Sequence, residues 1–227
     1  MIASGRREWP SCYADSVVRP SSTWVLRVPE GCVALFLALY TLAASLYPGG
    51  TREDPSYRGF SLAQSYTCDL FDEKGYSGLS NPGRPFAIVA MAVLAVGLVV
   101  LFWQVPHVAP EAKRRRAVVR TAGLTSCLFA PFVATRFHDL VIDGAGLLAF
   151  VAFAVSMSLV GRRGNPLLLG LAGSACAAAL VTLGIWHSRV GVHYLPGIQK
   201  VFLGLFVLWI LAMSREVRAK ALAPGST

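Results

Sequence analysis

Charge is scarce in this chain. Asp, Glu, Lys and Arg together supply 15% of its 227 residues, apolar residues supply 55%, and the mean hydropathy is +0.55. A soluble domain of this size needs more charge to cover its surface, so the composition excludes an ordinary water-soluble globule and indicates a membrane protein. Paired cysteines are missing as well. Cys12, Cys32, Cys68, Cys127 and Cys176 are scattered with no CxxC and no even-numbered framework, which excludes a zinc knuckle and a disulfide scaffold and leaves them as small apolar fillers. The net charge of +9 is not carried by basic residues interleaved with aromatics on a polar surface. It sits at the ends of apolar runs, a pattern that signals membrane topology and not nucleic-acid binding. No short tandem repeat and no pair of matching interrupted halves is present, which disfavours a secondary transporter. Within the apolar runs, polar groups are few beyond Asp143, Thr182 and scattered serines, so a channel with a continuous polar lining is not indicated either.

What is present is a series of apolar runs long enough to cross a bilayer at about 1.5 Å per residue. They predict an all-α polytopic transmembrane helix bundle of about six spans, near residues 28–47, 85–105, 117–134, 138–160, 167–186 and 195–213. The first begins at Pro29 and Glu30 and is preceded by too long a polar stretch to read as a cleavable signal. The second opens on Pro85, a favourable first-turn residue, and the third carries Pro131 near its end. The fifth is rich in Gly170, Gly173, Ser174, Ala177 and Ala178, spacings that suit close helix packing in the bundle. Three divisions follow: a flexible basic tail over residues 1–27, a six-helix membrane domain over 28–213, and a basic tail over 214–227.

Six spans place the N-terminal tail, the KRRR segment, the GRRGNP turn and the C-terminal tail on one side, with 14 Lys and Arg against 7 on the other. This bias predicts cytoplasmic N- and C-termini. The opposite face collects Glu53, Asp54, Asp69, Asp72, Glu73, Asp139 and Asp143 with His138, His187 and His193.

Three polar stretches on that face are the candidate site. If residues 60–72 are helical, Ser61, Ser65, Cys68, Asp69 and Asp72 share one stripe, which predicts a short amphipathic interfacial helix with Asp69 either solvated or turned towards a pocket. At the fourth span Arg136, Asp139 and Asp143 are spaced i, i+3 and i+7 beside His138, and ionisable groups below an interface are costly and have a partner or a role. In HSRVGVHYLPG, His187 and His193 bracket Arg189; two imidazoles, a guanidinium and a nearby carboxylate suit a phosphate-bearing headgroup. Asp69, His138, His187 and His193 are also a possible Zn²⁺ ligand set with an open position for water.

SRVGVHY looks like the third signature of the phosphatidic acid phosphatase superfamily, but three residues separate Ser188-Arg189 from His193 where that family has five. A closer likeness rests on FSLAQSYTCDL, NPGRP at 81–85, HD at 138–139 and LPGIQK at 195–200. Across about residues 30–213 these pieces resemble a family of uncharacterised bacterial multi-pass membrane proteins, a domain of unknown function. The resemblance implies a helical bundle in a bacterial cytoplasmic (inner) membrane and no established substrate. The expectation is an integral membrane protein whose extracytoplasmic polar site binds a lipid headgroup or a partner protein. The alternative is a metal-assisted lipid hydrolase or transferase.

Overall fold

The computed structural model describes residues 23–108, 112–129, 132, 135, 138–160 and 165–222, without the side chains of Val108, His138, Asp139 and Ile142. All of the regular structure among them is helical, apart from an isolated bridge between Lys74 and Ser80. Six α-helices follow in order: α1 Val28–Ser45, α2 Arg84–Gln104, α3 Lys113–Leu128, α4 His138–Val160, α5 Pro166–Ser188 and α6 Leu195–Leu222.

Local chemistry sets these boundaries. Prolines occupy the first turn of α1, α2 and α5, where the missing N–H would have had no helical partner. Asn165 caps α5 by accepting the Leu167 N–H at 3.0 Å, while Gly83 precedes α2 because a Cβ there would run into the Ala43 carbonyl. α6 continues past residue 213, so the expected C-terminal tail is helical as far as Leu222. Contacts along that extension hold it: Ser214 donates to the Leu26 carbonyl at 3.4 Å, and Arg218 pairs with Glu30 at 2.8 Å.

Among the described residues five helices are long and apolar enough to cross a membrane: Val25–Ser45, Arg84–His107, Asp143–Val160, Pro166–Ser188 and Val192–Leu222. α3 departs from the expected third span. It starts in the basic segment, because Lys and Arg wind readily, and closes at Leu128.

The core is built on Phe36, Leu101, Phe102, Trp209, Ile210 and Met213, all fully buried. Trp209 places its ring centroid 4.4 Å from that of Phe153 and donates its indole N–H to Met157 Sδ at 3.2 Å. Close approach falls where glycine allows it: Gly123 lies against the Phe102 ring and Gly97 against Cys32. The small residues of α5 do something else. Gly170 and Gly173 have open space where a Cβ would sit, and Ser174 and Ala177 are exposed, so this face points away from the bundle and does not pack within it.

The helices alternate between two ends. At one, here the basic end, Val25 accepts from Gln104 Nε2 at 2.9 Å, Arg115 reaches the Ser158 carbonyl at 3.4 Å, and Glu30 meets Arg218. The other, the loop end, gathers residues 46–83, the α5–α6 turn and the starts of α2 and α6.

Candidate functional site

Residues 46–83 fold into a cap over the loop end, tied together by hydrogen bonds over a small apolar cluster. Gly50 N–H donates to the Tyr57 carbonyl at 2.7 Å, Thr51 N–H to Asp54 at 2.8 Å, and Gly75 N–H to Leu79 at 2.9 Å. Gly50 sits at φ +84°, and a Cβ there would enter the Tyr76–Ser77 backbone, so only glycine fits. Asn81 is the organiser of the far side. Its Nδ2 donates to the Leu70 and Asp72 carbonyls at 3.2 and 3.0 Å, and its Oδ1 accepts the Gly83 N–H at 3.0 Å. Arg84 adds Nε to the Phe71 carbonyl at 2.9 Å and an ion pair to Glu73 at 3.1 Å. Beneath these bonds Ala43, Tyr47, Leu70, Phe71 and Ala87 form a small buried cluster, and burial pushes the Tyr47 phenol up to about 12.

The expected amphipathic helix over residues 60–72 is not formed. A short 3₁₀ turn, Thr67–Phe71, takes its place, preceded by extended backbone at Tyr66. Serine hydroxyls compete for the backbone here: Ser65 Oγ accepts the Ser61 N–H at 3.0 Å, and Ser61 Oγ accepts the Gln64 N–H at 3.2 Å. Asp69 closes the turn by accepting the Tyr66 N–H at 2.7 Å. Its side chain is buried. Burial raises its carboxyl to about 6, against the pull of the Tyr66 N–H in the other direction.

Three contacts fasten the cap to the start of α6 and the turn before it. Lys200 Nζ donates to the Ser65 carbonyl and to Pro196 at 3.1 Å, and lies 5.2 Å from the Phe60 ring centroid. Thr67 Oγ1 donates to Gln199 Oε1 at 3.3 Å, and Tyr66 Oη to the Val192 carbonyl at 3.5 Å. The face of Tyr66 carries the Arg52 guanidinium at 5.1 Å.

The α5–α6 turn lies beside that anchor. Arg189 takes φ +60° with its N–H on the Ile185 carbonyl at 2.9 Å, and its guanidinium stacks on Trp186 at 4.4 Å from the ring centroid. His193 packs on Tyr194 with centroids 3.8 Å apart. His187, Arg189 and His193 are exposed, and Val190 protrudes at 74% exposure.

The structure thus brings Ser65 and Asp69 to the cap interior and His187, Arg189 and His193 to the neighbouring turn. Asp143 is exposed on α4. Arg136 and the side chains of His138 and Asp139 lie outside the described residues. Among the described residues, no group of three or more His, Cys, Asp or Glu is placed to hold a metal ion. Asp69 is turned into the cap while His187 and His193 face outwards, so these three members of the Zn²⁺ set do not form a donor cluster.

Sequence reasoning missed Lys200, Arg52, Asn81 and Trp186. Lys200 carried a readable signal, since a lysine at the start of an apolar span is costly unless it has partners. Trp186 and Arg189 are three residues apart, a spacing that puts them on one helix face. Arg52 acts through tertiary contacts and carried no local signal, and Asn81 stood out only as part of the NPGRP helix entry, not for its bonds to Leu70 and Asp72.

No protein-family model, curated protein or solved structure matches this chain. Its chemistry therefore has to be read from its own residues. The described arrangement offers cations supported by aromatic rings and backbone carbonyls. Such a surface can bind and orient a polar group.

Proposed function

We propose that this chain is a multi-pass membrane protein whose loop end binds the polar headgroup of a membrane lipid. In this reading all six helices cross the inner membrane of a bacterium. The basic end and both termini face the cytoplasm, as the excess of Lys and Arg there requires, and the cap lies at the opposite membrane surface.

The observation that carries the reading is the docking of the cap onto the start of α6 and the α5–α6 turn through Lys200, Thr67 and Tyr66. A connector between two spans needs no such fastening. A platform that must hold Arg52 and the turn in register at the level of the headgroups does, because pre-organisation lowers the entropy lost on binding.

The test is lipid analysis of protein purified in mild detergent. Phospholipid is expected to co-purify with the native chain and to fall several-fold in the double variant Arg52→Gln/Arg189→Gln. Equal lipid retention by the two proteins would contradict the reading.

A further inference from the structure

We infer that the α5–α6 turn, residues 186–194, is a binding site for the phosphate of an anionic membrane phospholipid, with Arg189 as its principal ligand. This rests on the headgroup-binding reading above and names its chemistry and its residues.

The position comes first. The turn joins two helices that are each long and apolar enough to cross a membrane, Pro166–Ser188 and Val192–Leu222, so it emerges at the surface of any bilayer that holds them. Val190 protrudes at its tip, with Tyr194 63% exposed and Trp186 partly exposed beside it. Amphipathic aromatic rings of this kind settle at headgroup level.

The charge is the second point. From Gly144 to Arg215 the sequence contains no Asp or Glu, and none of the ion pairs among the described residues includes Arg189. Its guanidinium carbon lies over the Trp186 ring, 4.4 Å from the centroid. Stacking occupies the face of a guanidinium and leaves its edge N–H groups free, which is the geometry for a two-point bond to phosphate oxygens. His187 and His193, both exposed on the same turn, are further N–H donors within reach of a bound headgroup.

The backbone is the third. Arg189 occupies the left-handed region at the end of α5, where glycine is the usual residue. The chain keeps a strained arginine there although Gly191, two residues on, shows that glycine is available to this turn. A lone surface charge would not need that position. An arginine seated over Trp186 occupies it here. The Tyr66 hydroxyl on the Val192 carbonyl then fixes the turn against the cap.

The test uses the detergent-solubilised full chain, titrated with dihexanoylphosphatidylglycerol and followed by native mass spectrometry. Arg189→Gly removes the guanidinium and relieves the backbone, so a folding defect cannot explain its loss of binding. It is expected to melt no lower than the native chain and to lose one bound lipid, with affinity at that site down at least tenfold. Trp186→Leu is expected to weaken the same site several-fold. Lys113→Gln/Arg114→Gln, at the basic end, is expected to leave it intact.

Unchanged binding in Arg189→Gly, with loss instead in Arg52→Gln, would overturn the inference and leave the headgroup reading standing. If no phospholipid binds saturably at the loop end, both fall. Displacement of the lipid by inorganic phosphate at equal concentration would assign the site to a free anion and overturn the lipid as its ligand.

Discussion

At the basic end Arg218 is neutralised by Glu30 at 2.8 Å, with Ser214 and Gln104 closing the surrounding backbone groups of the first turn. At the loop end Arg189 lies instead on the ring of Trp186, while Arg52 lies over Tyr66 and also hydrogen-bonds Tyr76. A carboxylate consumes both the charge and the N–H groups of its partner, whereas an aromatic face holds a guanidinium in place and leaves its edge donors for something else. The first arrangement locks α1 to α6. In the proposed reading the second, at Arg189, presents charge to a ligand and makes the loop end the binding end. Each end also holds a pair of the other kind: Arg120 lies over Trp103 at the basic end, and Arg84 pairs with Glu73 at the loop end.

The contrast is broken most severely by loosening the cap. Asn81→Ala removes three hydrogen bonds, at about 1 kcal/mol each, and is expected to destabilise the cap by about 3 kcal/mol. Limited proteolysis should then cut within residues 46–83 while the helices stay protected.

Next in size is the comparison of the two arginines. Glu30→Ala leaves Arg218 partly buried and unpaired, a loss of about 2 kcal/mol, between the values for exposed and buried pairs. It is expected to lower the melting temperature in detergent, and Arg189→Gly is not.

The smallest effect is one of pH. Asp69 titrates near 6 in the folded cap against an ordinary 3.8, so the folded state holds the proton more tightly. Stability from this group is present below about pH 4 and is lost as pH rises through about 6. Lowering the pH from 7 to 5 should therefore stabilise the cap by about 1 kcal/mol, at 1.36 kcal/mol per pH unit. The protection factors of amides across Tyr66 and Asp69, taken relative to intrinsic exchange at each pH, should rise by the corresponding several-fold, and Asp69→Asn should lack this rise.

Much of the fold was legible because apolar length is a local property. The runs that became α1, α2, α5 and α6 could be read by counting, and Pro85 marked its helix start. The cap was not legible, since its order comes from Asn81, Arg84 and Lys200 reaching backbone carbonyls far along the chain. The stripe that singles out Asp69 presumes a helix that Ser61, Ser65 and Tyr66 prevent, and its burial arises from the 3₁₀ turn it closes. The packing role expected of Gly170 and Gly173 failed for a related reason: spacing shows that a face is small, but not what lies opposite it. At the α5–α6 turn the residue types and the three-residue spacing of Trp186 and Arg189 were readable, but the left-handed backbone at Arg189 was not.

The most direct test compares the two ends in one experiment, by hydrogen exchange of the native chain and Arg189→Gly in nanodiscs of phosphatidylcholine with and without phosphatidylglycerol. Anionic lipid is predicted to protect residues 186–194 in the native chain only, and to affect residues 113–116 equally in both proteins. Protection of residues 186–194 that survives Arg189→Gly, or that never appears in the native chain, would contradict the division of the molecule into a structural end and a binding end.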